Sequence, residues 1–496
     1  MRLVPRPLGE RIPNKLHAVS CSLPTMGDVV GYETKQPEII AQICSGYPRF
    51  VVHDLIRETT NLWRKRLGLD SEAFWLTASR QVAGELVAWL TPAEARVIDH
   101  DGIWGVAHPG EVSLILKARQ FLQHTGGFLS SRQAEDHLVA AGMINRTHED
   151  AIDEDPDSRI RRSLAREFHH SDADTIVLTN SGMNAVHRAF HAASARQRAR
   201  GRTVWIQLGW LYLDTMALME KLGNGPAEHR VILRVDDLAA LREVVRECGP
   251  RLAGLVTEAP SNPLIQTPAL AEVADLIHSA GGLMIVDPSV ASAYNVDVSP
   301  YADLLVTSLT KYAAWEGDVI AGAVLLAESC PDREQFLKVL TRERAPLYHR
   351  DAARLAHQVD QAPSVVRLIN EQTREVARFL SSHRSVKRVF WAESPEEGDR
   401  FSRIRRPDGG PGALLTIDLD VPLESFYDRV VLSKGPSFGI TTSLLCPFLY
   451  LAHYDLVSTE RGRQYLQANR MNPELIRVSV GTEPLDSILS ALDEAL

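Results

Sequence analysis

From about residue 160, short apolar runs alternate with amphipathic stretches such as 236–248 and 269–280. The predicted strands are TIVLT (175–179), TVWIQL (203–208), RVILRV (230–235), LAGLVTE (252–258), GLMIVD (282–287), DLLVTS (303–308) and VIAGAVLLA (319–327). Continuous apolar strands that alternate with helices are typical of a parallel sheet covered by helices on both faces. The pattern therefore predicts an α/β domain with a mostly parallel central sheet over residues 161–345.

The remaining segments follow other patterns. Residues 1–60 are rich in Pro and Gly and show little periodicity, which predicts an extended N-terminal arm. Residues 61–160 show mostly helical spacing, so we expect a helical insertion there. A long helical stretch at 351–382, followed by separated strands, predicts a smaller α+β domain over residues 346–496.

The composition narrows the class of protein. The 496 residues are 45% hydrophobic and 24% charged, as in ordinary soluble globular proteins. With 54 basic and 63 acidic residues the net charge is −9, and no basic block is present, so we expect no nucleic-acid partner. The five cysteines form no CxxC or Cys/His cluster, which favours a reducing, cytoplasmic compartment and no metal site. We find no secretory leader and no run of about 18 apolar residues, so we expect no membrane association.

The candidate chemistry lies at the ends of the predicted strands. TSLTKY (307–312) follows the strand DLLV, which places Lys311 at the carboxyl edge of the sheet, where open α/β sheets bind ligands. Ser308 and Thr310 flank it with hydroxyls that can hold a phosphate. Asp287 ends the strand GLMIV, where a carboxylate can pair with a protonated ring nitrogen. Taken singly, a lysine here is commonly a surface residue and an aspartate a turn cap.

A third strand end adds a phosphate-binding feature. NSGMNAV (180–186) follows TIVLT, and Ser181 and Gly182 open a predicted helix. The exposed N–H groups of a helix start suit a dianionic phosphate, although a Ser-Gly turn before a helix is common. Together with Lys311 and Asp287, this start supplies the partners that pyridoxal 5'-phosphate (PLP) needs for its aldehyde, ring nitrogen and phosphate.

The order of these motifs resembles the Cys/Met-metabolism family of PLP-dependent enzymes. The matching segments are GYPR (46–49), SGM (181–183), LYLDT (211–215), EAPSNP (258–263), SLTKY (308–312), SFGITTSL (437–444) and IRVSVG (476–481). The family includes cystathionine γ-synthase, cystathionine γ- and β-lyases, methionine γ-lyase and homoserine sulfhydrylases. The opening LGERIPNKLHAVSCSLPTMGDVVGYE is similar to the long cystathionine γ-synthases of fungi. The resemblance implies the aminotransferase-like fold of PLP enzymes, fold type I.

The resemblance also implies a role for each matching residue. Lys311 resembles the Schiff-base lysine, which is also the proton-transferring base, and Tyr212 resembles the aromatic that stacks on the cofactor ring. The other residues that match cofactor contacts are Asp287 at the ring nitrogen, Ser181, Gly182, Met183, Ser308 and Thr310 at the phosphate, and Tyr47 and Arg49 from a neighbouring subunit. The residues that match substrate contacts are Arg477 at the α-carboxylate, Ser437 and Asn262. As alternatives, Tyr212 is a core residue, and Ser437 and Asn262 are turn residues.

The implied reaction is a PLP-dependent γ-replacement, in which an O-acylhomoserine and L-cysteine give L-cystathionine, a transsulfuration step of methionine biosynthesis. The alternatives are a cystathionine or methionine γ- or β-lyase, an O-acylhomoserine sulfhydrylase, and a scaffold that keeps the fold without catalysis. The expected partners are small amino-acid substrates. The resemblance also implies a homodimer or homotetramer, with the 1–60 arm reaching a neighbouring subunit and completing its active site.

The chain departs from the family pattern close to these residues. The departures are Pro288 and Ser289 in place of Asn-Thr after the aspartate, Leu213 and Asp214 in place of glycines after the stacking tyrosine, SFGI (437–440) in place of SLGG, and Thr442 in place of a frequent acidic residue. None of them removes a cofactor contact. They leave the substrate and the outcome of the reaction open.

Overall fold

The computed structural model describes residues 3–45, 51–149, 152–223 and 225–496. In the N-terminal region, residues 3–149, two small antiparallel sheets are surrounded by helices. The strands are β1 (Arg11–Ile12), β2 (Ser20–Cys21), β3 (Glu72–Thr77), β4 (Arg96–His100) and β5 (Ile103–Pro109). The helices are α1 (Met26–Glu33), α2 (Pro37–Ile40), α3 (Asp54–Arg66), α4 (Arg80–Leu90), α5 (Val112–Thr125) and α6 (Ser131–Ala140).

The segment predicted as a helical insertion also contains a sheet, so that prediction is incomplete. Strand β5 lies between β3 and β4, and both pairs are antiparallel. Strands β4 and β5 are joined by Asp101-Gly102, both with positive φ (47° and 75°). An Asp-Gly pair with this backbone favours a tight β-hairpin. The short strands lie between longer helices, whose periodicity dominates the sequence pattern.

The predicted arm is also more folded than the sequence indicated. Within the described part of residues 1–60, Leu23, Val29 and Ile43 are almost fully buried. They belong to a core cluster whose other members lie mainly in the C-terminal domain. Because these apolar residues are spaced irregularly, their burial by a distant segment leaves no periodic signal in the sequence.

The central region, residues 156–345, contains the predicted α/β domain. Its strands are β6 (Ile176–Thr179), β7 (Val204–Leu208), β8 (His229–Ile232), β9 (Leu252–Glu258), β10 (Leu283–Asp287), β11 (Leu304–Ser308) and β12 (Gly322–Leu326). Its helices are α7 (Pro156–Glu167), α8 (Gly182–Arg198), α9 (Leu213–Leu222), α10 (Leu238–Cys248), α11 (Leu270–Ser279) and α12 (Arg333–Glu343).

These strands form one sheet in the order β6-β12-β11-β10-β9-β7-β8. Only β12 runs opposite to its neighbours, so the prediction of a mostly parallel sheet is confirmed. Neighbouring residues of a strand point to opposite faces, as Leu255 and Val256 show by belonging to different core clusters. Helices therefore cover both faces, and the polar strand ends lie at the edges.

The C-terminal region, residues 346–496, is the predicted smaller α+β domain. Its strands are β13 (Val386–Phe390), β14 (Leu414–Leu419), β15 (Ser433–Lys434), β16 (Leu444–Pro447) and β17 (Ile476–Ser479), in the order β13-β14-β17-β16-β15. Its helices are α13 (His349–Val359), α14 (Ala362–Ser382), α15 (Gly398–Ser402), α16 (Leu423–Arg429), α17 (Phe448–Ala452), α18 (Tyr454–Ser458), α19 (Glu460–Ala468) and α20 (Leu485–Asp493).

The long helix predicted at 351–382 is in fact two helices, α13 and α14. Pro363 lies in the first turn of α14, where a proline is tolerated because no intrahelical partner for its N–H is needed. Across the described residues, the helices lack the combination of length and apolar character that a membrane span requires.

Candidate active site

A cavity of about 210 Å³ lies at the carboxyl ends of the parallel strands. Strands β9, β10 and β11 end there with Glu258, Asp287 and Ser308. The predicted site residues that line this cavity are Ser181, Gly182, Met183, Tyr212, Asn262, Asp287, Ser308, Thr310, Lys311, Ser437 and Arg477. Tyr47 and Arg49, the remaining predicted contacts, lie outside the described residues. The structure therefore brings all the described candidates together around one space.

The start of helix α8 forms the end of the cavity that suits a phosphate. Ser181 is the N-cap of this helix, and its hydroxyl accepts a hydrogen bond from the Asn184 N–H at 3.1 Å. A Cβ atom at Gly182 would lie 2.8 Å from the Ser308 Cβ, so only glycine lets the helix approach β11 so closely. The N-terminus of a helix carries a partial positive charge, which favours a bound anion.

Thr310, a predicted phosphate contact, lines the cavity and also binds the backbone of a neighbouring segment. Its hydroxyl donates to the Ala321 carbonyl at 3.2 Å and accepts from the Ala321 N–H at 3.0 Å. Thr310 thus fastens the turn that carries Lys311 to the segment before β12. Ser308, by contrast, receives support through its backbone, because its N–H donates to the Ser289 hydroxyl at 2.8 Å.

Two acidic side chains lie next to each other at the strand ends. Asp287 and Glu258 are direct neighbours in the parallel pairing of β10 with β9. Burial raises the pKa of Asp287 to about 6, although the Ser289 N–H donates to it at 2.8 Å. Burial and the adjacent Asp287 raise the pKa of Glu258 well above its usual value. A protonated ring nitrogen paired with Asp287 would relieve this crowding of acidic groups, so the pair fits PLP.

Glu258 has a role that the sequence analysis missed. Its side chain accepts a hydrogen bond from the backbone N–H of Tyr212, at the start of α9. It therefore fixes the position from which the Tyr212 ring lines the cavity. The available signal was its place at the end of strand LAGLVTE, directly comparable to the place of Asp287 one strand later.

The side chain of Phe438 lies between two cationic groups. Its ring centroid is 5.1 Å from Lys311 Nζ and 5.4 Å from the Arg477 guanidinium. Arg477 is also 5.5 Å from the ring of Phe448, and it donates to the Ser437 carbonyl at 3.0 Å. Cation–π contacts of this kind hold charged groups in an environment of low polarity. The departure SFGI thus builds an aromatic platform shared by the lysine and the arginine.

A buried polar atom of Asn262 indicates that the cavity binds a ligand. Its side-chain oxygen Oδ1 is buried and has no hydrogen-bond partner among the described residues. An unpaired buried carbonyl costs free energy, and native proteins avoid it unless another molecule supplies the donor. A donor on a molecule bound in the cavity would satisfy this oxygen, so the residue also fits a ligand-binding role.

The N-terminal region supplies a second wall that the sequence analysis did not foresee. The residues of this region that line the cavity are His17, Ala18, His53, Ile56, Gln123, Gly126, Phe128, Leu129, Ser130, Ser131 and Arg132. Arg132 is 1% exposed and donates to Glu149 at 2.7 Å and to Asp351 at 2.9 Å. Because Asp351 belongs to α13, this arginine ties the wall to the C-terminal region. No local motif marks these contacts.

The fold and the cavity define a class of protein: an α/β enzyme of fold type I that uses PLP. The lysine follows a strand, the carboxylate ends the neighbouring strand, and a helix N-terminus lies beside both. The chain belongs to the family described as Cys/Met metabolism PLP-dependent enzymes, whose family profile matches residues 165–496. The predicted family and cofactor are thereby confirmed.

The relatives of this chain have different activities. It is 36% identical to the L-2-amino-4-chloropent-4-enoate dechlorinase/desaturase of Streptantibioticus cattleyicolor, over 99% of this chain and 97% of that protein. It is 24% identical to the cystathionine gamma-synthase of Neurospora crassa, over 99% of this chain and 98% of that protein. The crystal structure of cystathionine gamma synthase from Xanthomonas oryzae pv. oryzae aligns with a TM-score of 0.58 at 20% identity, covering 68% of this chain and 84% of that one, which supports the fold.

Proposed function

We propose that this enzyme eliminates a leaving group from Cγ of a single L-2-amino acid. The observation that carries the proposal is the charge of the cavity wall. Among the described residues, the Lys and Arg side chains that line it are Arg132, Lys311 and Arg477. Arg477 is assigned to the α-carboxylate and Lys311 to the cofactor, while Arg132 is already paired with Glu149 and Asp351. No Lys or Arg side chain remains in the described part of the wall for the carboxylate of a second amino acid.

The known relatives support chemistry at the same carbon. In L-2-amino-4-chloropent-4-enoate the chlorine is on carbon 4, which is Cγ of the amino acid. Cystathionine γ-synthases, as their name states, also act at Cγ. The leaving group differs between these proteins, but the position does not. The 36% identity over nearly the whole chain favours elimination over replacement.

Three residues of the cavity, Arg477, Lys311 and Asp287, have defined tasks in this reaction. Arg477, held by the Ser437 carbonyl, binds the substrate carboxylate with a charge-assisted pair. Lys311 lies against the same ring of Phe438 as Arg477, which supports its role in moving protons at Cα and Cβ. Asp287 keeps the ring nitrogen of the cofactor protonated. PLP, when bound, serves as the sink for the electrons released at Cα.

Other residues bind the phosphate of the cofactor and exclude water from the site. The start of α8, with Ser181, Gly182 and Met183, and the neighbouring Ser308 hold the phosphate. Phe438 and Phe448 exclude water around Lys311 and Arg477, which strengthens the electrostatic interactions there. Tyr212 covers the cofactor ring from the position that Glu258 fixes.

The second candidate function is γ-replacement, in which an O-acylhomoserine and L-cysteine give L-cystathionine. The observation that favours it is the similarity of the chain opening and of GYPR (46–49) to long fungal cystathionine γ-synthases. The lyase and sulfhydrylase alternatives use the same cofactor site and differ in the substrate and in the bonds that are broken and formed.

We further propose a homodimer or homotetramer in which Tyr47 and Arg49 of one subunit complete the phosphate site of the next. The helix N-terminus supplies only partial charge to a dianionic phosphate, and a guanidinium would supply a full one. Mixed oligomers of Arg49→Ala and Lys311→Ala subunits should regain activity; no recovery in a verified mixed oligomer would contradict a shared site. The five cysteines are free thiols, which supports a cytoplasmic location.

A substrate series tests elimination against replacement. The purified holoenzyme is incubated with L-2-amino acids that carry chloride, acetate or succinate as the leaving group on carbon 4, with and without L-cysteine, and products are identified by mass spectrometry. We expect release of the leaving group without cysteine and no cystathionine. Cystathionine as the main product would establish replacement instead. Exchange of the Cα hydrogen without any release of a leaving group would contradict chemistry at Cγ.

A further inference from the structure

Asp214 is a buried carboxylate in the wall of the active-site cavity. It lies two residues after Tyr212, in the first turn of α9, and it is 1% exposed. Burying a charged group is costly, and a protein retains one where it is paired or where it has a task.

The partners of Asp214 hold its carboxylate in place. Gln123 Nε2 donates to Asp214 Oδ1 at 2.8 Å, and His124 Nδ1 lies 3.1 Å from the same oxygen. Both donors come from the last turn of α5, in the N-terminal region. Two donors on one oxygen fix the orientation of the carboxylate and leave Oδ2 available to a molecule in the cavity.

Two of the other buried carboxylates that line the cavity, Asp351 and Asp318, have partners of a different kind. Asp351 and Asp318 contact arginines, for example Arg132 and Arg354, within 4 Å. Asp214, among the described residues, has no Lys or Arg within that distance, and its ionic partner is His124. His124 is itself 6% exposed, and its Nε2 is buried with no hydrogen-bond partner among those residues. The aspartate and histidine thus form a buried acid–base pair in the cavity wall, held by Gln123 and without a Lys or Arg partner among the described residues.

We infer that Asp214 is a second acid–base group, which removes a proton from Cδ of the substrate, and that His124 positions it. The inference rests on the proposed elimination and defines its substrate class: L-2-amino acids of at least five carbons, with a leaving group X on Cγ and a hydrogen on Cδ. Lys311 takes the protons of Cα and Cβ and returns them.

The step balances as a loss of HX. The Cγ–X bond breaks and its electron pair leaves with X⁻. The Cδ–H bond breaks, its proton goes to the Asp214 carboxylate, and its electron pair becomes the new π bond between Cγ and Cδ. Release of that proton with X⁻ regenerates the enzyme, so no oxidant or reductant is needed.

Position-resolved hydrogen exchange separates Asp214 from Lys311. The holoenzyme is incubated in D₂O with L-2-aminopent-4-enoate, which has Cδ hydrogens and no leaving group, and deuterium is located by NMR. The wild type should incorporate deuterium at Cα and at Cδ. Asp214→Asn should keep Cα exchange within about twofold and lose Cδ exchange by about 10²-fold, the scale of a missing general base. Glu220→Gln, the same change on the exposed part of α9, is the matched control and should exchange at both carbons.

Two results would overturn the assignment. Unchanged Cδ exchange in Asp214→Asn would show that the carboxylate is not the base. A parallel loss at Cα and Cδ, with normal cofactor absorbance, would show that Asp214 serves the whole site and not the distal carbon. Because this substrate has no leaving group, Asp214-dependent Cδ exchange would stand even if the substrate series ruled out elimination.

His124 provides a second, independent variant in case Asp214→Asn folds poorly. His124→Ala removes the donor to Asp214 and should lower Cδ exchange by about 10-fold with Cα exchange retained. His124→Asn places an amide N–H where Nδ1–H was and should restore most of the loss. Equal Cδ exchange in His124→Ala and the wild type would contradict the positioning role.

Discussion

The cavity has two walls of different origin. The strand-edge wall consists of the ends of β9, β10 and β11, the turn with Lys311 and the start of α8, all within one domain. The second wall, which we call the N-terminal wall, consists of the cavity-lining residues between His17 and Arg132. The first wall carries the residues that we propose bind PLP, among them Lys311, Asp287 and Ser181. The N-terminal wall carries few residues of this kind. Its segment contacts Asp214 through Gln123 and His124. We therefore assign cofactor chemistry to the strand-edge wall and substrate selection to the N-terminal wall.

The largest expected effect comes from breaking the strand-edge wall at its lysine. Lys311→Ala should lower turnover by at least about 10³-fold, because it removes both the covalent attachment of the cofactor and the proton-transferring base. The melting temperature should change little, since the alanine fits the same turn. Lys338→Ala, a change at an exposed lysine of α12, is the control and should be fully active. Substantial turnover in Lys311→Ala would refute the assignment.

Breaking the N-terminal wall should instead act on stability. Arg132→Ala leaves the buried Asp351 without its arginine partner, which costs about 3–5 kcal/mol in comparable cases. Glu149 keeps its pair with Arg350. The exposed Arg96, bidentate to Glu72, offers a matched change, and Arg96→Ala should cost less than about 1 kcal/mol. Denaturant unfolding measures both. Equal costs for the two variants would show that burial of the Arg132 network does not matter.

A milder break in the strand-edge wall is Asp287→Asn. The amide is of similar size and keeps the cofactor in place, but it cannot hold the ring nitrogen protonated. We expect kcat to fall by about 10²-fold, while the dissociation constant of PLP rises far less. Steady-state kinetics and cofactor titration give the two numbers. Near-normal kcat would mean that Asp287 has only a structural role.

The smallest effect concerns the pH dependence of the cofactor-free protein. Burial raises the pKa of Asp287 from near 4 to about 6, so the folded chain keeps a proton that the unfolded chain releases. The free energy of unfolding should therefore fall as the pH rises from about 4 to about 6. In Asp287→Asn the free energy of unfolding should fall less steeply over the same pH range, and the fall that remains is due to Glu258. Identical slopes in both proteins would contradict the raised pKa.

The two walls also differ in how far the sequence predicts them. Lys311, Asp287 and Ser181 follow apolar strands directly, and the rule that ligands bind at strand ends was enough to group them. The contact between Gln123 and Asp214 joins residues 91 positions apart, and that between Arg132 and Asp351 joins residues 219 positions apart. Such contacts depend on tertiary packing, which leaves no periodic or motif signal in one sequence.

The sequence pattern also failed to predict one of the sheets, for a local reason. The three-stranded sheet β3–β5–β4 was overlooked, although Asp101-Gly102 is a recognised hairpin pair. Its strands are short and lie between helices α3, α4 and α5, so helical spacing dominated the pattern. The fold type of the central domain was predictable because its strands are long apolar runs repeated at regular intervals.

The central claim is that Lys311, at the strand-edge wall, binds the cofactor. Borohydride reduction of the holoenzyme, followed by proteolysis and mass spectrometry, fixes the pyridoxyl group on the lysine that carried it. We expect a single modified peptide, with the pyridoxyl group on Lys311. A pyridoxyl group on any other lysine would contradict the assignment of the active site.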